Sequence, residues 1–485
     1  MMELNMRPEL APKKNSTGTR TWLPAASWTL KKEEKESMLL CLKGIKVPTG
    51  YSSNISAKVS MTDLRLIGMK SHDYHVLMTQ LLPVAIRGIL NPQVRKTIIK
   101  LCFFFNAVCS KEIDVGKLSK LQSDLVQTIC ELEMYFPPSF FDIMVHLPVH
   151  LVREIKHLGP MFLHWMFPWE RGMGDLKGHC RSRSRPEGSI VEGVVSEEVI
   201  ELYTEYTPEF ESIGLSKPMH EGRLQGYGRK GSKTQVVNEC LLKKAHLKVL
   251  FQTREVEPFV NEHIAELRQQ NPCPDWVMDM HNEHFAQWFK EKMSGSNDKQ
   301  LRYLSRGPTA KVITHQGFDM NGFTWYTKKQ DQKSTVQNSG VMIEAVPADG
   351  GKAKPYYGRI EEIWELEYLE FRTPLFLCEW FDEKGVNVEP GVQFTTVEMD
   401  RVAYKDDPFI LAEKQAKQVF YVLDPASIKK HVVLPGKRRI VGVGNVTDEE
   451  EYDLFDEFPN FSKDVESDPV KKGDKPPYVG GIVSS

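Results

Sequence analysis

His146, His150 and Glu154 stand four residues apart in the stretch HLPVHLVREIKHL. On a helix this spacing stacks all three on one face. Two imidazoles and a carboxylate suit Zn²⁺ with a fourth position open to water, and the chemistry would be metal-assisted hydrolysis. Pro148 lies between the histidines, where it can kink the helix that must align them, and the glutamate base of an HExxH motif is missing. The simpler reading is a packing helix with a polar face, on which Glu154 pairs with a nearby Arg or Lys. His281 and His284 of HNEH take the same reading. Ser71 and Asp73 of SHDYH precede a helical pattern and read as helix caps rather than an acid/base cluster. GxxxxGKS/T and GxSxG patterns are missing from the sequence, so P-loop and serine-hydrolase readings lack support.

A second group carries binding chemistry. Arg171, Lys177, Arg181, Arg183 and Arg185 are opposed only by Asp175 over that stretch. Arginines on alternate residues suit a phosphate backbone met by an extended strand or loop, with a plain solvated surface as the alternative. Further on, Tyr356, Tyr357, Trp364, Trp380 and Phe381 can line a groove for a peptide or an extended nucleic acid strand, or simply fill a small core.

Composition sets the frame for these groups. The chain has 485 residues, 41% of them hydrophobic and 10% aromatic, enough for two to four domains with real cores. A formal net charge of −2 exerts no overall pull on nucleic acid or acidic membranes, so such attraction must be local. The eight cysteines form no CxxC pair and read as reduced intracellular thiols. The opening MMELNMRPELAPKKNSTGTR lacks the apolar run of a signal peptide, and LCFFFNAVC is too short to span a bilayer. A soluble protein of the cytosol or nucleus, with no membrane partner, is expected.

Periodicity places the elements. Residues 1–60 read as a loosely ordered lead with one helix, and 61–206 as a helical domain punctuated by Pro92, Pro137 and Pro138. Residues 207–245 are rich in Gly and Lys and read as a basic flexible linker, followed by a helical segment at 246–307. From 308 to 446 apolar and polar residues alternate around Asn and Gly turns, which predicts a β-rich domain with a barrel-like module at 355–425. The 447–485 tail is acidic and reads as disordered. The fold class is α+β: a helical N-terminal domain followed by a small β-barrel-like C-terminal domain.

Several long motifs carry a resemblance. GYSSNISAKVSMTDLRLIGMKSHDYHVLMTQLLPVAIRGIL, CELEMYFPPSFFDIMVHLPVHLVREIKHLGPMFLHWMFPWERGMGDLKG and SRPEGSIVEGVVSEE resemble the C-terminal half of plant CACTA-type (En/Spm) transposases. GFDMNGFTWYTKKQDQKSTVQNSGV and YYGRIEEIWELEYLEFRTPLFLCEWFD resemble the second plant-transposon domain of unknown function in that family. The likeness runs from about residue 5 to 446.

The resemblance implies a nuclear protein and DNA strand transfer by a ribonuclease-H-like core, in which Asp and Glu carboxylates hold two Mg²⁺ or Mn²⁺ ions against the scissile phosphate. The helical domain would be part of that core. Its last carboxylate matches Glu170 in FPWERGMGDLKG, with Glu187 of RPEGS as the weaker candidate, although Gly172 and Gly174 weaken the helix expected there. The family's catalytic aspartates belong to an upstream region outside this chain. A lone carboxylate cannot hold two hard cations, so Glu170 would be a metal ligand only in an intact core and the chain alone would carry no cofactor. The expected function is that of a transposase-derived, catalytically incomplete fragment. It would bind transposon-end DNA through Arg171, Lys177, Arg181, Arg183 and Arg185, self-associate, or join a missing transposase half. The alternatives are a zinc metallohydrolase on His146, His150 and Glu154, and a chromatin or peptide reader using the aromatics of the β-rich module.

Overall fold

The computed structural model describes residues 11–14, 18, 21–110, 113–206, 226–345, 353–389, 394–405 and 407–437. These residues fall into two compact units: 11–34 with 69–206, and 35–68 with 226–437. The expected acidic tail lies outside the described residues.

The first unit is helical. Helix α1 (Pro92–Val108) starts where Asn91 Oδ1 accepts from Gln93 N at 3.0 Å and Pro92 occupies a position whose N–H would be orphaned anyway. Helices α2 (Leu118–Glu133) and α3 (Pro148–Leu158) pack on it. Phe104 and Val108, Leu118 and Leu125, and Val152 and Ile155 form one core, each pair standing on a single stripe of its helix. Lys100 Nζ, at 2.7 Å from Glu131 Oε1, ties α1 to α2 beside this core. Upstream, the helix from Ser71 widens into a π turn at Leu77–Leu81 just before Pro83. Pro83 has no N–H to offer the carbonyl of Thr79, and Asn106 Nδ2 reaches that oxygen at 3.3 Å instead. Helices α4 (Phe167–Gly178) and α5 (Pro186–Tyr206) complete the unit. Gly172 and Gly174 do not interrupt α4.

The second unit packs helices α6 (Glu239–Gln252), α7 (Glu257–Gln270) and α8 (Pro274–Met293) with a large sheet. Val249, Phe285, Phe289 and Leu304 meet Trp364, Leu366, Tyr368 and Phe409 in one core. The strands are β1 (Tyr227–Lys230), β2 (Lys233–Val236), β3 (Lys311–His315), β4 (Gly317–Met320), β5 (Phe323–Tyr326), β6 (Gly340–Ala345), β7 (Lys354–Tyr368) and β8 (Phe371–Phe381), then β9 (Val386–Val388), β10 (Thr395–Val397), β11 (Val402–Ala403), β12 (Phe409–Leu411), β13 (Lys417–Leu423) and β14 (His431–Pro435). The main path runs β9-β10-β14-β13-β6-β7-β8-β11, with β12 on β8 and with β3 joining β2 to β7. Strands β1, β4 and β5 form a separate sheet, whose β4–β5 hairpin turns at Asn321 and Gly322 with φ of 54° and 78°. That pair of positive angles is what a two-residue turn matching the strand twist requires.

Three expectations are corrected here. The barrel-like module is an open sheet: closure needs the end strands to pair, and the path instead terminates at β9 on one side and β11 on the other. Strand β7 changes partners along its length, pairing with β6 before the Ile360/Glu362 bulge and with β3 after it. The expected linker at 207–245 contains β1, β2 and the start of α6, because Lys233–Val236 finds a partner edge on β3; its 207–225 part lies outside the described residues. Finally, the lead is not loose throughout. Ile45, Val47 and Tyr51 are buried, Tyr51 packs edge-on against Phe420, and Lys46 Nζ donates to the carbonyls of Asp331 and Ser334 at 2.9 and 2.7 Å.

Candidate functional site

The basic residues converge on the turn between α4 and α5. Ser189, in the first turns of α5, accepts from the backbone N–H of Ser182 through its Oγ at 3.1 Å, and the hydroxyls of Ser182 and Ser184 lie 3.0 Å apart. The serines thus hold the turn while Arg181, Arg183 and Arg185, interleaved with them, are exposed, as is Lys177 at the end of α4. The side chain of Arg171 lies outside the described residues. Below the turn, His179 Nε2 stands 3.4 Å from Glu197 Oε2, joining the end of α4 to α5. An exposed arginine cluster on a short, internally bonded turn can meet phosphate oxygens at little ordering cost. The arginines were legible in the alternation SRSR. The work of the serines was not, because hydroxyl bonding across a turn has no spacing signature.

Glu170 lies in the first turn of α4 and Glu187 in the first turn of α5, both exposed. Among the described residues no group of three or more His, Cys, Asp or Glu side chains converges to hold a metal ion. The carboxylates present therefore do not fit the paired Mg²⁺ or Mn²⁺ of strand transfer, which need several acidic oxygens.

His146 and His150 do come together, with Nε2 atoms 2.9 Å apart on the protein surface. Glu154 does not complete a three-ligand cluster with them, so the zinc-hydrolase trio is not assembled. Pro148 does not break the helix: Leu147 keeps φ −54° and ψ −38°, and α3 continues from the Ile143–His146 turn.

The groove aromatics are core residues. Tyr356 and Trp380 belong to one buried cluster, Tyr357 and Phe381 to another and Trp364 to a third. Neighbouring Tyr356 and Tyr357 point to opposite faces of β7, as strand geometry dictates, and both faces are covered. Among the described residues these rings are packed in cores and line no open groove, which corrects the reader expectation.

Comparison with known families gives two matches. Residues 108–219 match the domain of unknown function DUF4218, and residues 364–433 match the domain of unknown function DUF4216. Both are typical of plant transposon-derived proteins, and the chain is consistent with such an origin. No curated protein and no solved structure matches. The arginine turn lies inside the DUF4218 match, and the β7–β8 hairpin from Trp364 onward inside the DUF4216 match. No helix among the described residues is long and apolar enough to cross a membrane.

Proposed function

We propose that this chain is a CACTA-type (En/Spm) transposase-derived protein that binds DNA through Lys177, Arg181, Arg183 and Arg185, with Arg171 as a further contact, and acts in the nucleus. The observation that carries the reading is the exposure of all three arginines on the Ser182–Ser189-bonded turn. The motif resemblance and the two domain matches support the transposon origin. In this reading the helical unit is part of a ribonuclease-H-like core and Glu170 is its last carboxylate. The chain's own groups hold DNA rather than cut it, since Glu170 and Glu187 supply too few oxygens for two hard cations.

The test is duplex DNA binding across a salt series with the whole chain. Each phosphate contact contributes about 0.9 to the slope of log affinity against log salt, so replacing Arg181, Arg183 and Arg185 together with Ala should flatten the slope by up to about 2.7. An unchanged slope would sink the interface. Mg²⁺- or Mn²⁺-dependent nicking by the chain alone, lost in Glu170→Ala, would overturn the division of labour.

A further inference from the structure

We propose that His146 and His150 form a two-nitrogen chelate for a late first-row divalent cation that prefers cis square-planar positions, Cu²⁺ or Ni²⁺. Both Nε2 atoms face each other at 2.9 Å, the rings are near perpendicular at 73°, and both side chains are exposed. The 2.9 Å separation is that of a hydrogen bond between the two rings. Two nitrogens each about 2.0 Å from one ion are about 2.8 Å apart at a right angle and about 3.3 Å apart at the tetrahedral angle, so a small ring rotation brings both onto one ion. Imidazole ligands and the stability order of the late first-row divalent ions favour Cu²⁺ and Ni²⁺.

The backbone already holds the pair. Asp142 Oδ1 caps the helix by accepting from Met144 N at 2.9 Å and Val145 N at 3.3 Å, and His150 N bonds back to Leu147 O at 2.9 Å. Pro148, buried between the two histidines, fixes φ at the join. Without metal, one ring donates Nε2–H to the lone pair of the other. Binding requires that the donor ring move its proton to its own Nδ1 and that the two rings turn so that both Nε2 lone pairs converge on the ion. Glu154 is not a ligand, and the remaining positions are open to water or to a donor from another molecule. The site is thus distinct from a zinc hydrolase centre and independent of the DNA-binding turn.

The probe is Ni²⁺, titrated calorimetrically into the full chain after the exposed Cys130, Cys240 and Cys273 have been capped with N-ethylmaleimide. His146→Ala and His150→Ala should each weaken one site by about tenfold or more, because the second nitrogen then no longer binds intramolecularly. His157→Ala, an exposed histidine on the same helix, should leave it unchanged. Cu²⁺ bound to the same protein should give a tetragonal resonance split by two nitrogens. Unchanged Ni²⁺ affinity in both single variants, or a copper signal split by one nitrogen only, would overturn the proposal.

Discussion

His179 fills the space in which any side chain at position 193 would have to begin: a Cβ on Gly193 would lie 2.6 Å from His179 Nδ1. The missing side chain lets the ring sit against α5 and reach Glu197. Gly193→Ala should therefore push the imidazole away, separate the base of the α4–α5 hairpin and cost about 1–3 kcal/mol of stability. His179→Ala should relieve much of that cost, giving a clearly non-additive double-mutant cycle in chemical denaturation. Additive effects would mean the two residues do not meet.

Two imidazoles are held neutral by burial. His246 shares a hydrogen bond of 3.0 Å with the Tyr368 hydroxyl, and His281 faces His263 across 2.8 Å between their Nδ1 atoms. Burial pushes both His246 and His281 down to about 4, with the His263 charge a lesser cause at His281. Burial lowers His263 and His431 in the same direction. In the unfolded chain these groups take up protons near pH 6.5, whereas in the fold they resist until lower pH. Their contribution is therefore complete above about pH 6.5 and is lost as pH falls toward 4. Urea unfolding should show a lower midpoint at pH 5 than at pH 7, with a shallower dependence in His246→Gln. A midpoint independent of pH over that window would contradict the burial argument.

Lys248 on α6 is nearly buried, and its Nζ lies 2.8 Å from Asp407 Oδ2, which is half-exposed. Removing the carboxylate leaves an ammonium facing the core with less compensation than removing both charges. Asp407→Asn should destabilise by about 1–3 kcal/mol, discounted from a fully buried pair because water reaches the aspartate. Lys248→Met should cost less, since its stem already packs among apolar neighbours. The order of melting temperatures, Lys248→Met above Asp407→Asn, is the check.

What could be read from the sequence was local. Asn321-Gly322 marked its hairpin because only such residues accept two positive φ angles in succession, and the spacing of Phe104, Val108, Val152 and Ile155 marked helix faces. The exposure of Arg181, Arg183 and Arg185 followed from their alternation with small polar residues. What failed depended on distant partners. Lys233–Val236 looks like linker until Lys311–His315 supplies an edge, and Tyr51 looks like part of a loose lead until Phe420 meets it. The aromatics of β7 and β8 misled for a related reason. A strand covered on both faces carries large rings on both, so alternation could not tell groove from core.

That double coverage is open to a direct test at Gly358. Its carbonyl accepts from the Tyr421 hydroxyl at 2.7 Å, while a Cβ there would stand 2.7 Å from the Glu379 carbonyl and 2.8 Å from Trp380 Cε3. The two sides of this contact differ in what can yield. Tyr421→Phe removes one buried hydrogen bond and leaves the packing in place, a loss of about 1–2 kcal/mol. Gly358→Ala drives a methyl group into the backbone of β8, which is held in register by its pairing with β7, and should cost about 3 kcal/mol or more. Chemical denaturation reports the difference: the unfolding midpoint of Tyr421→Phe should stay above that of Gly358→Ala, and equal losses would mean that the backbone of β8 yields to the added methyl group.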